Sequence, residues 1–316
     1  MTTTSPFRSA RPAFTDRAFR TVTFASGLVV LVVLALILVS TTREAMPAFR
    51  SEGIGFLTSD RWAPNVGSFG ALPFIYGTLV ISVIALVIAV PVSIGIALFL
   101  TEVAPKGLRR PVSYAVDLLA AVPSVVFGLW GLLVLAPAMV GVYDKVSRVS
   151  DRVPLVGTLL GGPVNGKSYL TAGLVLALMI TPIITSLVRE VFNTVPTVQK
   201  EAALALGATR WEMVRQAVFP HSRAGMIGAV MLGLGRAMGE TIAAALVIGS
   251  SPQITAHLLR SGDAMAAVIA NQFGEAGGVH RSALIGLGVV LFIVTVAVNI
   301  AAQTVVRRLS AAEVTR

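Results

Sequence analysis

Six stretches of this chain are long and apolar enough to cross a lipid bilayer, at roughly Val22–Ser40, Ala71–Leu100, Val112–Val140, Ser168–Val188, Ala224–Gly249 and Ala283–Val306. The hydrocarbon core takes about 20 residues of helix. Within it every backbone polar group must find its partner inside the protein. Only 13% of the 316 residues are charged, where a soluble domain carries about 25%, so lipid is the solvent and the expected fold is all-α and polytopic with six transmembrane helices. The second stretch contains Pro91 and is expected to kink or tilt. Arg17 and Arg20 precede the first stretch as they would a signal peptide. Its apolar run is too long for one, however, and no small-x-small cleavage site follows, so it reads as a retained span.

The chain has no cysteine, which excludes disulfides, thiolate metal sites and a cysteine nucleophile. Its net charge of +10 follows from topology. One face would carry the N-terminus, the 101–111 and 189–223 loops and the C-terminus, with 15 Lys and Arg; the opposite loops hold nine, and Arg236 lies inside a span. Basic residues gather on the cytoplasmic side. Both termini are therefore expected in the cytoplasm, and the charge calls for no nucleic-acid partner. The organisation read from this is a tail at 1–20, a membrane domain at 21–310 with a cytoplasmic loop at 189–223, and a tail at 311–316.

One motif points elsewhere. Gly161-Gly162-Pro163-Val164-Asn165-Gly166-Lys167-Ser168 fits the phosphate-loop pattern G-x-x-x-x-G-K-[ST]. That motif needs a strand before it, a helix N-terminus after it, and backbone amides wrapped around phosphate. Here a membrane span follows, the topology puts the loop on the side without ATP, and Pro163 removes one amide. The glycines read instead as a turn before the fourth span.

Charged residues inside a bilayer cost about 2.5–3.5 kcal/mol each on insertion scales, and the fifth stretch carries two in Gly235-Arg236-Ala237-Met238-Gly239-Glu240-Thr241. Arg236 and Glu240 stand at i, i+4 and so share a helix face. Gly235 and Gly239 form a small-xxx-small pair that admits a neighbouring helix. Two readings stand: a mutual salt bridge locking helices together, or an anion site in which the Arg236 fork takes oxyanion atoms while Glu240 holds it between substrates. Asp117, near an end of the third stretch, reads as an interfacial structural residue.

Between the fourth and fifth stretches lies a polar insert. Thr197 is placed to cap a short helix, Lys200-Glu201-Ala202-Ala203-Leu204-Ala205-Leu206 to propagate it, and Gly207 to stop it. Thr209-Arg210-Trp211-Glu212 is a capping box for a second helix that Pro220 is expected to end. The result is a knuckle presenting Ala202, Ala203 and Leu206. It is suited to seat in a partner's groove, or to lie on lipid headgroups as an amphipathic connector.

Glu201-Ala202-Ala203-x-x-x-Gly207 with Pro220 resembles the EAA loop of ABC-importer permeases, E-A-A-x3-G-x9-I-x-L-P, with Ala217 and Phe219 in place of the usual Ile and Leu. Pro123-Ser124-Val125-Val126-Phe127-Gly128-Leu129-Trp130-Gly131, Leu135-Ala136-Pro137, Phe69-Gly70-Ala71-Leu72-Pro73-Phe74, Gly77-Thr78-Leu79 and the Arg236–Glu240 segment narrow the likeness to the C-type permeases of phosphate-specific (Pst) importers. The resemblance covers nearly all of residues 20–310. It implies a type I importer permease fold in the bacterial cytoplasmic membrane and half of a translocation pathway. It implies transport roles for Arg236 and Glu240, and coupling to an ATPase through Glu201, Ala202, Ala203 and Gly207. The implied partners are an A-type permease, an ABC ATPase dimer and an extracytoplasmic phosphate-binding protein. ATP and magnesium would be bound by the ATPase, leaving this chain without cofactor, metal or catalytic residue. A permease for sulfate or molybdate, and an ion-gradient-driven carrier, are the alternatives.

Overall fold

The computed structural model describes residues 14–150 and 153–314. Residues 1–13 and 315–316 of the expected tails, together with Arg152, lie outside the described residues.

The first helix, α1, runs Phe14–Glu52. A short α2 (Gly55–Thr58) and a two-residue antiparallel pair, β1 (Trp62–Ala63) with β2 (Ser68–Phe69), lead to α3 (Leu72–Leu98). Then come α4 (Lys106–Ala120), α5 (Ser124–Trp130), α6 (Ala136–Ser150), α7 (Pro154–Leu160) and α8 (Tyr169–Asn193). The chain continues through α9 (Thr197–Ala205), α10 (Arg210–Met213), α11 (Phe219–Met238), α12 (Ile242–Val247), α13 (Met265–Gln272) and α14 (Gly278–Val314).

Five helical stretches among the described residues are long and apolar enough to cross a membrane: Asp16–Glu52, Leu72–Val103, Ser124–Ser150, Tyr169–Asn193 and Gly278–Thr304. Two of the six expected spans are corrected. The third begins at Ser124 rather than Val112. Pro123 disfavours helical backbone at the residue before it, so the chain breaks after Ala120 and α4 stands as a separate amphipathic helix. The fifth is not one helix: the backbone stops at Met238 and restarts at Ile242. Pro91, by contrast, lies inside α3, which is helical on both sides of it.

Three π-helical turns follow one local rule. Phe99–Val103, Gly131–Leu135 and Val214–Val218 are each followed by one residue and then a proline, at Pro105, Pro137 and Pro220. A proline inside a helix lacks the N–H for the carbonyl four residues back, and its ring crowds that carbonyl. A widened turn just upstream removes the conflict. Thus Phe219 N–H donates to the Val214 carbonyl five residues back, and the helix passes through Pro220. The knuckle's second helix therefore does not end there; α10, the π turn and α11 are continuous. At Pro105 the same turn is closed by Ala104 N–H to Phe99 O at 2.7 Å, but Ala104 turns extended and the helix stops.

The core is α3 laid against α8, with α5, α11 and α12 around them. Their approach depends on glycine: a Cβ at Gly173 of α8 would fall 2.3 Å from the Ile84 side chain of α3, and one at Gly233 of α11 would fall 2.6 Å from Ile184 of α8. Helices α1 and α14 pair on the outside, and the first half of α1 touches little else. A second cluster, from Phe56, Phe69, Phe74, Met265, Leu284 and Leu287, closes the end opposite the knuckle. There Trp62 packs edge-on against Phe74 at 5.0 Å and donates its indole N–H to Gln272 at 3.0 Å.

The segment 248–264 plugs that same end. Gly262 lies on the Tyr169 ring, and the Asp263 carbonyl backs onto Gly77. Asp263 is 3% exposed, and its carboxyl accepts a hydrogen bond from Ala264 N–H at 2.8 Å. Burial pushes it up to about 7, with that hydrogen bond pulling the other way.

Candidate functional site

At the break after α11, Gly239 N–H still donates to Gly235 O at 3.1 Å, and then the chain leaves the helix. Glu240 turns forward. Its Oε1 accepts from Ala243 N–H at 3.3 Å, supplying an acceptor for the first turn of α12. Helix α12 is in turn seated on α5, where a Cβ at Gly128 would fall 2.8 Å from the Ala243 Cα. Among the described residues Arg236 and Glu240 form no salt bridge, one of the two readings of the pair, because the helix that would have placed them on one face ends between them. Non-helical backbone at membrane depth is tolerated where protein buries it or where it lines a wet cavity.

Helix α11 has two unlike sides. Ala229, Gly233 and Ala237 are buried, facing α8 where Ile184 meets Gly233. Gly228, Leu232, Arg236 and Gly239 are exposed, and Gly235 between them has no other heavy atom within 4 Å of where a Cβ would stand. These positions recur at helical spacing and form one stripe, which no other described element covers. Among the described residues Arg236 joins no ion pair. The Gly235–Gly239 pair thus packs against nothing in this chain. The close helix contacts of α11 run instead through Gly225, against Val191, and Gly233.

The knuckle forms much as its local chemistry dictates. Thr209 accepts from Glu212 N–H at 3.3 Å while the Glu212 carboxylate accepts from Thr209 N–H at 2.8 Å. Those Thr209 contacts hold the Glu212 carboxyl below its ordinary value. Gly207 stops α9 with a φ of +88°, and Gly207 N–H closes on Leu204 O. Thr197 is not the cap. Pro196, whose ring fixes φ, occupies that position, and Thr197 is the first helical residue. The faces also differ from expectation. Ala203 is half-buried against the core, whereas Glu201, Ala202 and Gly207 are exposed and Leu206 is 90% exposed.

Two ion pairs tie this end together, and neither is visible along the sequence. Lys200 Nζ of α9 lies 2.6 Å from Glu102 Oε1, in the π turn that ends α3. Asp117 of α4 pairs with Arg189 of α8 at 3.3 Å, consistent with its structural reading. A clue existed: Glu102 is the one acid in the 101–111 stretch, and Lys200 the one base in 197–205.

Behind the phosphate-loop match, the helix N-terminus is already engaged within the protein. The first α8 N–H groups, at Tyr169 and Leu170, donate to the carbonyls of Arg260 and Leu258 at 3.1 and 2.9 Å. Thr171 N–H donates to the Ser168 hydroxyl. The glycines make a turn, as expected.

Residues 89–311 match the family described as binding-protein-dependent transport system inner membrane component. The phosphate transport system permease protein PstC of Xylella fastidiosa (strain 9a5c) is 48% identical over 99% of this chain and 97% of its own. The PstC of Mesorhizobium japonicum is 44% identical over 95% and 93%, and that of Haemophilus influenzae 44% over 93% and 94%. A crystal structure of a bacterial alginate ABC transporter, in complex with a pentasaccharide-bound periplasmic protein, shares the fold. Its TM-score is 0.62 at 18% identity, over 95% of this chain and 99% of that one. The chain belongs to the binding-protein-dependent transport permeases and, within them, to the PstC family. It is a multi-span permease subunit of an ABC importer, a transport component and not an enzyme.

Proposed function

We propose that this permease carries phosphate, forming half of the pathway with the open face of α11 turned toward it. The observation that carries the reading is Arg236, a cation on α11 with no ion-pair partner and no covering element among the described residues. Facing lipid it would be costly. Facing a water-filled path, its planar fork suits an oxyanion. Glu240 shapes the same break in the helix, and Gly235 and Gly239 leave room for a helix of a homologous A-type permease across the path. That the names of the relatives specify phosphate supports the choice of cargo.

The rest of the assembly follows from the same reading. The knuckle end is cytoplasmic, with both termini on that side, and α11 and α12 together make the broken sixth crossing. Glu201, Ala202 and Gly207, with Leu206 beside them, meet an ABC ATPase dimer that binds ATP and magnesium; Ala203 seats the helix on the bundle. A phosphate-binding protein delivers cargo to the opposite end, in the bacterial cytoplasmic membrane. Membrane vesicles holding the full complex test this. Radiolabelled phosphate uptake is expected to require ATP and to persist against excess sulfate or molybdate. Equal inhibition by sulfate would point to a general oxyanion permease. Loss of uptake with the proton gradient, at constant ATP, would overturn the reading in favour of a gradient-driven carrier.

A further inference from the structure

The structure assigns a role to the pair Lys200–Glu102: we propose that it is the strut through which displacement of the knuckle is handed to α3. This rests on the reading of residues 197–220 as the ATPase-coupling segment.

Lys200 sits one residue before Glu201, yet the two point opposite ways. Glu201 is exposed, while the Lys200 side chain is 19% exposed and reaches a Glu102 side chain that is 11% exposed. The remaining inward contact of α9 that touches the core is Ala203, a single methyl, which can slide. An ion pair of 2.6 Å shielded from water has direction and resists both pull and push, and it is screened less than a surface pair. Lys200 is the cation paired with Glu102 among the described residues. Arg109, the nearest base along the chain with a fixed side chain, donates its Nε to the Ala104 carbonyl at 2.8 Å.

What lies behind Glu102 matters as much. It stands in the π turn Phe99–Val103, a widened turn between the regular helix of α3 and Pro105. Such widened turns are frequent at functional sites, and in this proposal Glu102 follows the knuckle before the whole helix moves. Helix α3 then runs the length of the core, locked to α8 where Ile84 fills the space at Gly173, and ends near the outer plug, where Gly77 meets the Asp263 carbonyl. The knuckle, the yielding turn, the core helix and the outer plug are in continuous contact. Lys200 and Glu102 act as positioning residues and touch neither nucleotide nor cargo.

The test uses the intact complex and reads three quantities: ATPase association, ATP hydrolysed and phosphate transported. Lys200→Met and Glu102→Gln are each expected to keep the ATPase bound and hydrolysing while phosphate moved per ATP falls roughly tenfold, within the usual range of coupling between sites. Lys200→Arg is expected to keep the ratio. The swapped double variant, Lys200→Glu with Glu102→Lys, is expected to recover most of what either reversal alone loses. An unchanged ratio in the neutral variants would overturn the proposal. So would an assembled swapped complex that transports no better than its single reversals. If the neutral variants do not assemble, the swap alone decides. Failure of the underlying reading looks different: Glu201→Lys would then leave ATPase association intact, whatever Lys200 does.

Discussion

Replacing Arg236 with lysine is expected to lower phosphate uptake by about 10–100-fold, or about 1.4–2.8 kcal/mol of transition-state or binding free energy, with protein levels unchanged. The two halves of that result come from different facts. Lysine keeps the charge but replaces a planar, two-pronged donor with a point charge, so paired hydrogen bonds to an oxyanion are lost. Stability is untouched because Arg236 holds nothing together: it forms no ion pair among the described residues and lies on the uncovered stripe of α11. Normal uptake by Arg236→Lys, measured at matched protein levels, would remove the two-pronged role.

Leu206→Asp is expected to separate the ATPase from the permease. Leu206 is 90% exposed, at the tip of α9 just before the glycine stop, so nothing within this chain is lost on substitution. Burial of a leucine side chain in a partner's groove contributes about 1.5–3 kcal/mol. Losing that and desolvating a carboxylate as well should weaken association about 100-fold or more. Co-purification of the ATPase with the permease pair reads the loss, and uptake should disappear with it. A complex that stays intact would place the groove contact elsewhere on the knuckle. Glu201, Ala202 and Trp211, also exposed, are then the next positions to vary.

Much of this was legible in the sequence, and the boundary of what was legible is physical. Apolar length located α1, α3, α8 and α14, because solvent transfer is a sum over residues and hydropathy measures that sum. The capping box at Thr209–Glu212 and the stop at Gly207 were readable because both are local chemistry, closed within a few residues. Breaks were not. The apolar run through Val112–Val140 does not register that Pro123 splits it, and Ala224–Gly249 stays apolar across a backbone that leaves the helix at Gly239. The shared face of Arg236 and Glu240 was an inference from spacing that required an unbroken helix. Pro220 misled for a related reason: whether proline ends a helix depends on the turn before it, and a π turn there lets the helix continue. Lys200 and Glu102 are 98 residues apart, so their pairing is a property of the packed bundle alone.

Whether the stripe carrying Arg236 lines the phosphate path can be tested with one thiol. The chain has no cysteine, so Leu232→Cys, one turn from Arg236 on the exposed stripe, introduces the one thiol of this subunit, and labelling is read on this subunit alone. In the assembled complex under ATP, a charged, water-soluble thiol reagent should modify it, and excess phosphate should slow that modification. A thiol that stays unreactive in the working complex, as one facing lipid or sealed in a helix contact would, contradicts the account.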